Sequence, residues 1–213
     1  METNKRQISL ENKKINDLLY AQLLLLAEFD PKEQKLYLTR DEYCKNYDLL
    51  YAAAGLQSHR APKKALQRRV SVLITLNLIT KEEIMVNNKR TPAYIFPADK
   101  DSTLLIEKET LQLLVNTHTR FAVQIYSYLA EAARRDECMF TKSALANVLG
   151  YSKSNKRLFK TITDTLEVLK EQGFVYWEEC LDMVYQDNGT CHPTTRMEIL
   201  EVTLIFKQEK EEK

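Results

Sequence analysis

One order of elements occurs twice in this chain, and that repetition limits its folds more than any single motif. In the second half, "TRFAVQIYSYLAEAARRD" sets Phe121, Ile125, Tyr128, Leu129 and Ala132 at helical spacing. "MFTKSALANVLGYS" follows. Phe140 ends a short strand, Thr141 or Ser143 offers a cap, and Leu145, Val148 and Leu149 predict a short helix that Gly150 closes. A longer helix comes next, with Phe159, Ile162, Leu166 and Leu169 as its buried stripe and Gly173 as its stop. "FVYWEE" reads as a strand, "DNG" at 187–189 as a turn, and "MEILEVTLIF" as the returning strand.

The first half has the same order. "KINDLLYAQLLLLAEFD" predicts a helix stopped near Pro31. "LYLTRDEYCKNYDLLYAAAG" opens on Leu38-Thr39-Arg40, as the other half opens on Phe140-Thr141-Lys142. "APKKALQRRVSVLITLNLIT" predicts a helix with Leu66, Val70 and Leu73 on one side and Pro62 in its first turn. "NLITKEEIMV", the turn "NNKR" and "PAYIF" make the hairpin. Matching the copies pairs Leu19-Tyr20 with Ile125-Tyr126 and Leu23 with Leu129. In the longer helices it pairs Lys63-Lys64 with Lys156-Arg157, Leu66 with Phe159, Leu73 with Leu166 and Leu76 with Leu169. The expected class is mainly α with small β-hairpins, an α+β chain. The expected divisions are a flexible N-terminus (1–11), a first domain (12–98), a second domain with its linker (99–207) and a charged tail (208–213). The stretch "FPADKDSTLL" joins the halves, and Leu104, Leu105 and Ile106 at and after its end are expected to dock on the second half as a strand or helix.

Composition narrows the functions. The 213 residues carry 31 Lys plus Arg against 30 Asp plus Glu, so any case for a nucleic-acid partner rests on local clustering. There are only four glycines and no G-x-x-x-x-G-K-[ST] loop, which argues against P-loop nucleotide hydrolysis. His59, His118 and His192 are isolated. Cys180, Cys191 and His192 lack the tight pairs of structural zinc, and "CHPTTR" reads as loop. No catalytic residue, metal or cofactor is expected. The longest apolar run, "LLLLA", is too short to span a bilayer, and the N-terminus is polar. The expectation is a cytoplasmic, non-enzymatic protein with reduced thiols. Tyr20, Tyr126, Tyr128 and Trp177 sit at core spacing.

Three helices followed by a hairpin is the winged helix-turn-helix order. "FTKSALANVLGYSKSNKRLFKTITDTLEVLKEQGFVYWEE" resembles that family in its second helix, loop, recognition helix ending L-x-x-L, and "GF-V" entry to the wing. The first half resembles a more divergent copy, so the likeness runs from about residue 12 to residue 207. Two tandem winged helices in one chain are similar to replication initiators of plasmids and phages. The segment from Leu104 to Asp136 also resembles the entry to winged-helix domains of phage and plasmid primosome proteins.

The resemblance implies a recognition helix in the DNA major groove, its N-terminus and loop beside phosphates. Cations belong there because phosphate neutralisation supplies most of the affinity. In the first half these are Arg60, Lys63, Lys64, Arg68 and Arg69, with no acid between Arg60 and Arg69. In the second they are Lys153, Lys156, Arg157 and Lys160. Gln67, Ser71, Ser154, Asn155 and Thr161 suit base edges. Lys89 and Arg90, and Arg196 in the other copy, are expected at wing tips. Asp164 and Glu167 restrict any phosphate contact to the N-terminal half of the second helix.

The implied function is sequence-specific duplex DNA binding in plasmid or phage replication initiation, with host replication proteins as further partners and a homodimer left open. A repressor of a mobile element is the nearest alternative. A primosome or helicase-loading scaffold, with its basic helices merely solvated, is an alternative of another class.

Overall fold

The computed structural model describes residues 14–56, 63–86, 88–97, 104–185 and 191–202, together with the backbone of Lys5–Ile8. They divide into two units. The first takes Lys5–Ile8 and 14–123, and the second takes 124–202.

In the first unit, β1 (Lys5–Ile8) precedes α1 (Asp17–Leu26). Asn16 caps α1, its side chain accepting the N–H of Leu19 at 2.9 Å and donating to the carbonyl of Ala54 at 3.2 Å. Residues 17–25 are all buried, so the Leu run is a helix enclosed on every side. The helix ends at Ala27, short of the expected stop near Pro31, because residues 28–39 form a hairpin. β2 (Glu28–Asp30) turns into β3 (Lys35–Thr39). Asp30 fixes that turn by accepting the N–H groups of Lys32 and Glu33. The short helices α2 (Arg40–Lys45) and α3 (Tyr47–Ala53) follow, then α4 (Lys63–Thr75), β4 (Thr80–Val86) and β5 (Lys89–Phe96). The sheet runs β2-β3-β5-β4, antiparallel throughout. β6 (Leu104–Glu107) pairs antiparallel with β1, and α5 (Lys108–Asn116) completes the unit. The segment expected to dock on the second half therefore lies in the first, and the division falls after Val123 instead of near residue 98.

The second unit holds α6 (Ala122–Arg134) from its third residue onward, then β7 (Met139–Phe140), α7 (Lys142–Val148), α8 (Lys156–Glu171), β8 (Val175–Tyr185) and β9 (Cys191–Val202). Its sheet runs β7-β9-β8. In both units the strand before the short helix pairs with the last strand of the hairpin, and the long helix lies between them in sequence. The chain is thus mixed α+β. "CHPTTR" belongs to β9, not to a loop, because β8 and β9 continue their register outward to Tyr185 and Cys191. The expected turn at 187–189 lies outside the described residues, as do the tail at 208–213 and most of 1–11.

Equivalent residues do equivalent work at the start of the short helices. Leu38, next to the end of β3, and Phe140, at the end of β7, are buried. Thr39 and Thr141 follow, each capping its helix by accepting the N–H of the residue three further on, at 3.2 and 3.1 Å. Leu19, Tyr20 and Leu23 are buried in α1, as are Ile125, Tyr126 and Leu129 in α6.

The long helices match in a different register from the expected one. Asn77 and Gly173 both have positive φ, 55° and 74°, at the helix C-termini. After them, Leu78 N–H donates to Leu73 O at 2.9 Å and Phe174 N–H to Leu169 O at 2.8 Å. Aligned on these caps, buried Leu66, Val70 and Leu73 coincide with buried Ile162, Leu166 and Leu169. Lys64 then coincides with Lys160, and Lys63-Lys64 no longer matches Lys156-Arg157. A slip of three residues is nearly one helical turn, so it leaves an apolar stripe almost in place and escapes a pattern match. The buried residue in the first turn of α8 is Leu158, while Phe159 is only half-buried. Trp177 closes this core from the hairpin, its indole N–H donating to Leu166 O at 3.2 Å.

Candidate nucleic-acid interface

α4 is held by Leu66, Val70 and Leu73. At about 100° per residue, the opposite face carries Lys64, Arg68 and Ser71, with Gln67 at its edge. All four are exposed. The helix contains no acid. Lys64 and Arg68 stand one turn apart, and cations so placed repel one another. Lys63 is exposed at the start of the helix, its ammonium 5.6 Å from the Tyr47 ring centre, so it leans toward α3. Arg69 is exposed but rotated to the other flank of the buried stripe. Ser71 donates its hydroxyl back to Gln67 O at 2.9 Å, which leaves its oxygen still able to accept. Arg60 lies outside the described residues.

α8 divides along its length. Lys156, Arg157 and Lys160 are exposed in its first half, and no acid lies in its first turn. Exposed Asp164, Glu167 and Glu171 follow on the same side. Cations at a helix N-terminus oppose the helix dipole, and Asn155, half-buried, gives no side-chain cap hydrogen bond. An anion docked there would relieve both costs. Exposed Lys153 lies in the preceding turn. There Ser152 and Ser154 share a 2.9 Å hydroxyl contact, so Ser154 is partly committed locally. Thr161 is half-buried on the flank.

The two wings differ in how they place their expected tip residues. Lys89 and Arg90 pair with Val86 and Met85 beside the tip of β4–β5, both exposed. Arg196 pairs with Cys180 well inside β8–β9 and is half-buried, so it is not a tip residue. The register carries the hairpin five pairs further out.

Two cations beside α4 had no signal in the sequence. Arg40 opens α2 immediately after its Thr39 cap, and Lys81 projects from β4. With Gln67 of α4 they line one pocket. Only the packing of three elements brings them together. Among the described residues no group of three or more His, Cys, Asp or Glu is placed to hold a metal, and no helix is long and apolar enough to cross a membrane. Cys44, Cys138 and Cys180 are free thiols.

The sequence matches no known family model, no curated protein and no solved structure.

Proposed function

We propose that the chain is a sequence-specific double-stranded DNA-binding protein built from two winged helix-turn-helix domains, acting in replication initiation of a plasmid or phage. One observation carries the reading. In α4 an acid-free helix, fixed by Leu66, Val70 and Leu73, exposes Lys64, Arg68 and Ser71 on the face away from its core, with Gln67 at the edge of that face. Lys and Arg on such a face neutralise phosphates, and Gln and Ser offer hydrogen bonds to base edges. The element order and the pairing of the first strand with the last support the winged-helix assignment for both units. α8 offers the same chemistry over its first half, through Lys156, Arg157 and Lys160.

A second reading attaches to α8. Asp164, Glu167 and Glu171 make the rest of its exposed side acidic, which suits a protein partner in a replication assembly better than a phosphate backbone. On that reading the first unit binds DNA and the second recruits.

Selection of bound fragments from a random duplex pool tests sequence specificity. An enriched motif, placed on a plasmid lacking an origin, then separates an initiator from a repressor. Chain-dependent maintenance of the plasmid supports initiation, and repression of an adjacent promoter without maintenance supports the alternative. No enrichment at any salt concentration contradicts both.

A further inference from the structure

Between the start of α2, the side of α4 and the hairpin β4–β5 lies a pocket of about 420 Å³, all of it within the first unit. Its wall is aromatic. The ring centres of Tyr43 and Tyr94 are 5.2 Å apart, and those of Tyr43 and Tyr47 are 5.3 Å apart. Lys81 Nζ stands 5.8 Å from the Tyr94 ring centre. Tyr43 is 4% exposed, and its hydroxyl is buried with no hydrogen-bond partner among the described residues. A buried phenol is normally satisfied, so an unpaired one lining a pocket points to a ligand.

The equivalent place in the second unit holds a pocket of about 390 Å³ with a different lining. There Lys142, the counterpart of Arg40, pairs with Glu179 at 3.2 Å, and Phe159 is the one aromatic among its described lining residues, where the first unit has three tyrosines. Arg40 has no such ion pair among the described residues and is exposed.

The lining selects a chemistry. Tyrosine rings suit a flat partner. Arg40, Lys81 and Gln67 donate, while Glu82, Glu83 and Gln67 accept. Two cations balanced by two acids do not suit a simple anion. They suit a planar ring whose edge carries both donors and acceptors. We propose that this pocket takes one unpaired nucleobase, its ring against the tyrosines and its edge on Tyr43 Oη and Gln67. A base in a duplex is stacked on both faces, so the occupant is a base of a single strand, a base extruded from a duplex, or a free nucleotide. The inference rests on the DNA reading only for the origin of that base.

A single-stranded oligonucleotide carrying one 2-aminopurine is the probe, since stacking on an aromatic ring quenches its fluorescence. Quenching by the wild-type chain, weakened about tenfold in affinity by Tyr43→Phe and lost with Tyr47→Leu, is the expected result. Tyr43→Phe keeps the ring and removes only the hydroxyl, so a folding defect does not imitate it. Phe159→Leu in the second unit's pocket, which lacks the tyrosine wall, leaves quenching unchanged. Competition by adenosine monophosphate assigns a free nucleotide as the source, and quenching without competition assigns a strand. Absence of quenching, or equal affinity of Tyr43→Phe and wild type, overturns the proposal. Anisotropy with an unlabelled-base duplex, run on the same samples, reports the groove contact of α4 separately. Quenching without duplex binding leaves the pocket standing and removes the function proposed above.

Discussion

Asp17 accepts the backbone N–H of Val123 at 3.0 Å, across more than a hundred residues of sequence. The same carboxylate accepts the N–H of Phe121 at 3.3 Å. Asp17 is 2% exposed, and Phe121 stands at a φ of 67°. A buried carboxylate is tolerable only when its oxygens are used, and here two backbone donors use them. Asp17→Ala strands both donors and is expected to cost the first unit about 2–3 kcal/mol. Asp17→Asn keeps one good acceptor and should cost less. Urea midpoints of the two variants check the order, and an unchanged midpoint for Asp17→Ala would contradict it.

The two long helices end on the same cap with different residues. Gly173 has a φ of 74° and Asn77 a φ of 55°. A Cβ on Gly173 would meet only the Tyr176 hydroxyl, at 3.8 Å, so the cost of Gly173→Ala is backbone strain and not a clash. That strain is about 1–2 kcal/mol. Asn77→Gly should stabilise by up to about 1 kcal/mol, because Asn already tolerates this conformation in part. Thermal denaturation of both variants should give shifts of opposite sign.

Burial raises the phenol of Tyr126 from 10.0 to about 12. Burial, with neighbouring tyrosines adding to it, also pushes the Tyr43 phenol up. The folded chain therefore holds protons that the unfolded chain has released above pH 10. The stability these groups confer is complete below pH 10 and falls as pH rises toward 12, by about 1.4 kcal/mol per pH unit for each group. Denaturant midpoints measured from pH 8 to pH 11.5 should stay level and then fall. A midpoint that rises with pH in the upper part of that range would be incompatible with buried neutral phenols.

The parts of this fold that could be read from sequence are those with a short-range cause. Thr39 and Thr141 each precede a helix and cap it. Gly173 ends α8 because its positive φ is cheap only for glycine. Leu66, Val70 and Leu73 mark the buried face of α4. What escaped depends on partners distant in sequence. The pairing of β1 with β6 places Leu104–Glu107 in the first unit, and neither segment alone signals it. The register between α4 and α8 is not legible in the pattern, because one helical turn nearly maps the stripe on itself. Arg196 was expected at a tip because the outer pairs of β8 and β9 have no clean alternation to announce them. Arg40, Gln67 and Lys81 meet only after three elements pack, so their sequence positions carry no sign of a pocket.

The central claim is that the exposed face of α4 contacts duplex DNA. Fluorescence anisotropy with a selected duplex, repeated from 50 to about 200 mM salt, tests it directly because each neutralised phosphate adds about 0.9 to the slope of log affinity against log salt. Lys64→Ala/Arg68→Ala removes two exposed cations that hold no core contact. The account predicts a steep salt dependence for the wild type, at least tenfold weaker binding by the double variant, and a slope shallower by about 2. A flat salt dependence, or a double variant with wild-type affinity and slope, would contradict it.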